Sequence, residues 1–357
     1  MKKLKNWRFD HFFGVDVSKN DLYITIMFRR TVLAHYKIGN NTYEIQNFIK
    51  DAKKEHGVII RSSVFGMEQT GIYCNHLFTV LEKIKANVIV QNALYIKNSL
   101  GTVRGKNDKL DSQRIAGYLV KSRDELPLRK VKRPIILALT RLTALRERLI
   151  TVQKSLRTPL VEEDSFIQKT ASDMNKKLCE GTLLSLCSDI LGVDSYIRQL
   201  WTSDKKLNRL MTIITSIKGV GYVTALKIIL TTNEFIDIDD HKKFACYCGV
   251  APFEHRSGTS IRLRTRVSQH SNRQMKSLMH TCAVSAKRFD PELASYFHRR
   301  TEIDGKPKMS VINAIRFKML ARIFTCVRED RLFQLDYKST KLTLENAGGE
   351  CRSCIGI

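Results

Sequence analysis

The chain has 357 residues, with 61 Lys+Arg against 35 Asp+Glu, a formal net charge of +26. That length fits two or three domains, and 43% hydrophobic and 8% aromatic residues supply real cores, so a disordered basic tail is excluded as the whole protein. A positive excess this large repels itself in a compact chain and is most simply read as serving a polyanion, nucleic acid before a membrane surface. The nine cysteines lack regular spacing. No apolar run approaches the roughly 20 residues of a membrane span, and the basic stretch from Met1 to Asp10 leads into no signal-peptide core, so the reading expects no membrane partner and a reduced cytoplasmic, nucleoid-associated setting. Cys351 and Cys354 form half of a zinc-ligand pattern with no second half, which reads as a thiol-bearing tail.

Three short apolar runs, Phe12 to Val17, Leu22 to Phe28 and Val32 to Ile38, predict a three-stranded meander. Helical spacing of Ile45, Phe48, Ile49 and Ala52 predicts a helix over Thr42 to His56. A strand over Val58 to Met67, a helix over Tyr73 to Ile84, a strand over Ala86 to Gln91 and a last helix from Asp108 complete a βββαβαβα order. That order predicts a ribonuclease-H-like α/β domain over 10–127. Beyond Pro127 and Pro134 the pattern turns to heptads, Ile135, Leu142, Leu149 and Leu156 with Ala138, Leu145 and Val152 between them. A second set runs Leu183, Ile190 and Ile197 with Leu186, Val193, Leu200 and Leu207, separated from the first by the polar stretch Pro159 to Asp173. Two long helices are expected over 128–210, as a hairpin within one chain, an oligomer seam or ordinary helix packing. From Ile217-Lys218-Gly219-Val220-Gly221 a helix-hairpin-helix is read, whose Gly-x-Gly turn would let backbone amides approach a phosphate. Helical stretches around a Gly-, Ser- and Arg-rich loop fill Phe235 to Leu278, and a basic amphipathic helix, Val311 to Val327, ends a mainly helical domain over 211–330. Residues 331–357 carry no assigned role.

Four carboxylates stand out. Asp16 lies mid-strand among apolar neighbours, where a lone carboxylate is costly and wants a partner or a metal. Glu68 ends the fourth strand, a neighbour of the first in such a sheet. Asp108 and Asp111 share one helix face at i and i+3. For that pair alone, N-capping and the helix dipole explain enough. Together the four suit two Mg²⁺ ions, or Mn²⁺, in phosphoryl transfer. A second candidate is Ser257, followed by Gly258 and by Arg262 and Arg264. Residue types alone favour a Ser-Gly turn beside phosphate-binding arginines, with His255 near in sequence as a conceivable base.

Gly14-Val15-Asp16-Val17-Ser18-Lys19, Glu68 to Tyr73, Lys106-Asn107-Asp108-Lys109-Leu110-Asp111 and Ile115-Ala116 resemble the DEDD motif of the "IS one-ten" insertion-sequence transposases. Ile217 to Gly221, Gly249 to Pro252, Ser257-Gly258 and Ser271-Asn272 resemble that family's C-terminal domain, so the resemblance runs in order from Phe12 to Val327. It implies an N-terminal domain similar to the Holliday-junction resolvase RuvC, a coiled-coil insert, and a C-terminal domain whose serine nucleophile falls on Ser257. It places the four metal-binding acids on Asp16, Glu68, Asp108 and Asp111, and it reverses the residue-type reading of Ser257. It further implies target and donor DNA as substrates, a bridge RNA as guide, and a dimer assembling to a tetramer. Lys19, Lys106, Lys218, Gly219, Gly221, Arg262, Arg264, Asn272 and Lys276 are the expected nucleic-acid contacts. Lys276 stands where the family has arginine, keeping the charge without the bidentate fork. No Gly-x-x-x-x-Gly-Lys-Ser/Thr phosphate loop occurs in the chain.

Overall fold

A computed structural model describes residues 8–100, 107–257, 261–267 and 271–335. The chain divides after Val131 into two units.

In the first unit, strands β1 (His11–Val17), β2 (Asp21–Phe28) and β3 (Thr31–Gly39) form the meander that the apolar runs predict. Helix α1 (Thr42–His56) follows, started by the Asn41 side chain accepting from the Glu44 amide and ended by Gly57 in the left-handed region at φ 62°. Strand β4 (Ser63–Glu68) is shorter than the predicted run, because Ile60–Ser62 form a 3₁₀ turn before it. Helix α2 (Asn75–Lys83) likewise begins two residues late, after a 3₁₀ turn over Gly71–Cys74. After β5 (Asn87–Gln91) comes α3 (Ala93–Leu100), which the predicted βββαβαβα order lacks. Helix α4 (Asp108–Lys121) closes the unit.

The sheet order is β3-β2-β1-β4-β5, with β1–β2–β3 antiparallel and β4 and β5 parallel to β1. This mixed α/β sheet is compatible with a ribonuclease-H-like transposase domain. Strand β1 is central and almost wholly buried, so its side chains alternate between two cores. Phe13, Val15 and Val17 join Phe48, Met67 and Leu81 on the α1–α2 side. Phe12 joins Val64, Ala116 and Leu119 on the α4 side.

The second unit is mainly helical. Helices α5 (Pro134–Phe166) and α6 (Lys169–Ser203) form an antiparallel hairpin within one chain. Its register is read from Arg146–Asp194, Gln153–Cys187 and Lys176–Asp164, each pair further from the base than the last. The polar stretch Pro159 to Asp173 is therefore helical almost throughout, turning only at Ile167 and Gln168. Pro159 sits inside α5, where a missing N–H removes one bond without ending the helix. The heptad series of α6 lies on the packed face as spaced. In α5, Leu139, Arg146 and Gln153 take the inward positions expected of Ala138, Leu145 and Val152, and the last two are 37% and 48% exposed. Leu207 lies beyond the hairpin, on α7 (Lys205–Thr215).

Helices α8 (Tyr222–Thr232) and α9 (His241–Tyr247) follow. Where a loop was expected, Pro252–Ser257 and Ile261–Val267 pair as a two-stranded antiparallel ribbon, β6 and β7. Helices α10 (Arg273–Phe289), α11 (Pro291–His298) and α12 (Lys308–Arg328) finish the core around Phe244, Met279, Ile315 and Met319.

Candidate active site

The position of α4 follows from one missing side chain. A Cβ on Gly14 would lie 2.1 Å from the Ser112 carbonyl oxygen and 2.3 Å from the Ala116 nitrogen, so only glycine lets the α4 backbone ride directly on β1. A Cβ on Gly66 of β4 would press the Leu119 side chain at 2.7 Å. On the other side of Gly14 a buried hydrogen bond of 2.8 Å joins Thr25 Oγ1 of β2 to Ser112 Oγ, and Thr25 also meets His35 Nδ1 of β3 at 2.9 Å. Three strands thus fix the first turns of α4.

By the alternation of a strand, Asp16 shares the face of Phe12 and Gly14, and Glu68 that of Val64 and Gly66. Both carboxylates point to the α4 side, one step past the Val15–Met67 pair of neighbouring parallel strands. Asp108 and Asp111 stand in the first turn of α4, capped by Asn107. The four acids are close enough to act on one another. Burial, then Asp108, Asp111 and Glu68 in that order, push the Asp16 carboxyl up to about 6, and burial and Asp111 raise that of Glu68. Arg114, three residues on from Asp111, donates to its Oδ1 at 2.6 Å. Among the described residues no three acids are drawn into a ready-made metal cluster. The donor chemistry fits a hard divalent cation all the same: oxygen ligands only, and mutually repelling charges that a cation would relieve. Lys19 is exposed in the β1–β2 turn, and Lys106 lies outside the described residues.

In the second unit, Ser257 is the last residue of β6, its backbone opposite Ile261, and Arg262 faces Arg256 across the ribbon. Arg264 is on β7. Ser257 belongs to the second unit and the four acids to the first. Lys218 is exposed beside Gly219, whose φ is +92°. A Cβ there would meet the Cys282 carbonyl at 2.7 Å and the Ala286 nitrogen at 2.8 Å, so Gly219 serves the close approach of α10. Gly221, the N-cap of α8, opens onto free space. Asn272 caps α10 through the Met275 amide, and its Nδ2 donates to the Tyr247 hydroxyl at 2.8 Å. Gly249 is at φ +62°, and a Cβ there would meet Ser271 Oγ at 2.2 Å and Lys276 Cδ at 3.6 Å. The segments Gly249–Pro252 and Ser271–Lys276 therefore meet. Sequence reasoning passed over Arg114, Thr25, Ser112 and Tyr247; only Arg114 left a signal, its i+3 spacing from Asp111.

A basic chain with a mixed sheet, acids on its central strands and a helical C-terminal unit is compatible with a DNA transposase of the DEDD type. The family model described as "Transposase" for the DEDD group matches residues 13–158, and that described as "Transposase IS116/IS110/IS902 family" matches residues 211–298. The chain belongs to the IS110 family of transposases. The "Pilin gene-inverting protein" of Moraxella bovis is 26% identical over 329 residues, covering 90% of this chain and 97% of that protein. Its namesake in Moraxella lacunata shows the same identity and coverage. The "Insertion element IS110 uncharacterized 43.6 kDa protein" of Streptomyces coelicolor is 26% identical over 153 residues, 42% of this chain and 37% of that protein. The enzyme is thus a DNA transposase or recombinase.

Proposed function

We propose that the chain is a site-specific recombinase of an insertion sequence that exchanges DNA strands through a serine–DNA covalent intermediate. The observation that carries the reading is the gathering of Asp16, Glu68, Asp108 and Asp111 where β1, β4 and the start of α4 meet, with burial and then the neighbouring charges pushing the Asp16 carboxyl up to about 6. Those four residues would hold Mg²⁺ or Mn²⁺. A bound pair of such ions activates a nucleophile and stabilises the leaving oxygen of a phosphodiester. Ser257 Oγ forms the new bond to phosphorus as the bond to the 3′ oxygen breaks, and the freed 3′-hydroxyl takes up the proton that the serine gives up. The 5′-phosphoserine keeps the phosphodiester energy, so a 3′-hydroxyl from another strand rejoins the backbone without ATP. Inversion, the activity in the Moraxella relatives' name, is one product of such an exchange between two sites.

The proposal keeps the division into a RuvC-like domain (10–127), a helical insert (128–210), a C-terminal domain with the serine (211–330) and a tail (331–357). By the family resemblance, the acids and Ser257 come together from different subunits of a dimer or tetramer. A bridge RNA sets the target and donor sequences, and the net charge of +26 accommodates both polyanions. In a plasmid recombination assay with purified protein and its copurifying RNA, product should need Mg²⁺ or Mn²⁺ and vanish in Asp16→Ala. Recombination that survives Asp16→Ala, or protein that is fully active after ribonuclease treatment, would overturn the metal or the RNA part respectively.

A further inference from the structure

Helix α12 places Arg316 against α10 with 5% of its surface exposed. A guanidinium has five N–H donors, no acceptor, and a charge at any ordinary pH, so burying it calls for acceptors and a counter-ion. Here Nη2 meets Nδ1 of His280 at 2.5 Å and Nη1 reaches Asn313 Oδ1 only at 3.4 Å. Nε is buried without any partner. Among the described residues no carboxylate pairs with Arg316. Its neighbour on the same helix, Arg322, shows the ordinary solution: Asp290 at 2.7 Å and Glu292 at 2.5 Å. Around Arg316 the surroundings stay uncharged, since burial and the guanidinium both favour the neutral form of His280. A buried cation left in this condition works against folding, and burial pulls its own pKa down.

The place of this cation in the fold says what completes it. Asn313, one turn before Arg316, donates to the Val250 carbonyl at 2.8 Å, in the turn that leads directly into β6. Lys276, one turn before His280 on α10, packs beneath Gly249 in that same turn. Helices α10 and α12, which carry Lys276 and Arg316, thus both contact the Gly249–Ala251 turn at the root of the ribbon that ends in Ser257.

We propose that Arg316, with Lys276 beside it, is a receptor for a phosphodiester group of bound nucleic acid, the anion that the chain itself does not supply. The identity of that anion rests on the recombinase reading; the site does not depend on the serine chemistry. The test therefore uses the full chain carrying Ser257→Ala, so that no covalent step intervenes, with Arg316→Met added as an uncharged side chain of similar reach. Without nucleic acid, removing an unpaired buried cation leaves the melting temperature unchanged or higher. On a duplex DNA probe the same change weakens binding about tenfold at 0.1 M salt and lowers the slope of log K against log salt by about one. Arg316→Lys keeps the salt slope, because the charge remains, and loses part of the affinity with the fork. A parallel arm with an RNA hairpin probe tells which polyanion uses the site: the slope change follows the one that does. A lower melting temperature with unchanged affinity and slope on both probes would show a purely structural arginine and overturn the proposal. Failure of the wild-type chain to form a serine adduct would sink the covalent reading and leave this binding result standing.

Discussion

Replacing Asp16 by asparagine should stabilise the metal-free protein while destroying its activity. Burial and three neighbouring acids raise the Asp16 carboxyl from 3.8 to about 6 in the folded chain. A folded value above the unfolded one means that the ionised group works against folding. The penalty is absent below the unfolded value, grows between about pH 4 and 6, and is complete above that window. At about 1.4 kcal/mol for each tenfold change, it reaches about 1.5 kcal/mol at pH 5 and about 3 kcal/mol at pH 8. These are ceilings, because Asp16 is partly exposed and water screens its neighbours. The assay is hydrogen exchange of the β1 and β4 amides in the full chain under EDTA, across a urea series at pH 5 and pH 8. Asp16→Asn should protect those amides more than wild type does, with the larger gain at pH 8. Millimolar Mg²⁺ should then stabilise wild type at pH 8 and do little for the variant. Equal protection of the two proteins at both pH values would refute the crowding of charge at this site.

Gly14→Ala should cost more than about 3 kcal/mol, because the added methyl meets the α4 backbone rather than a yielding side chain; the readout is loss of soluble, folded protein against a Gly192→Ala control, where an added Cβ meets open space. Arg133→Met should cost about 3 kcal/mol, since Arg133 bridges Asp204 at 2.8 Å and Glu234 at 2.7 Å, and the Glu234 side chain is fully buried. Denaturation midpoints of the second unit measure it, and adding Glu234→Gln should recover part of the loss.

How far the sequence could be read follows from the physics of each element. The meander, α1 and the four acids were legible, because a central strand must be apolar on both faces and a carboxylate in its middle is conspicuous. Helix α3 was not: eight residues of mixed character carry no period long enough to see. The hairpin's existence was legible from its heptads, yet its α5 seam shifts by one residue onto Leu139, Arg146 and Gln153, because two of these bond across to α6 through polar groups that an apolar pattern ignores. Pro159 read as a break, but the long packed helix continues through it. For Gly219, the turn motif suggested a phosphate; the structure shows in addition that the missing Cβ makes room for α10. Contacts with partners distant in sequence, such as Thr25 with Ser112, leave no local trace.

The central claim is best tested on a duplex with a nick placed so that the cleaved strand end diffuses away. Protein, Mg²⁺ and copurified RNA are mixed with labelled substrate and resolved under denaturing conditions. The account predicts a covalent protein–DNA adduct that maps to Ser257, bears the 5′ phosphate, and is lost both in Ser257→Ala and under EDTA. Cleavage that leaves free 5′-phosphate ends with no adduct would contradict it and point to a metal-dependent nuclease instead, and an adduct that persists in Ser257→Ala would contradict Ser257 as the nucleophile.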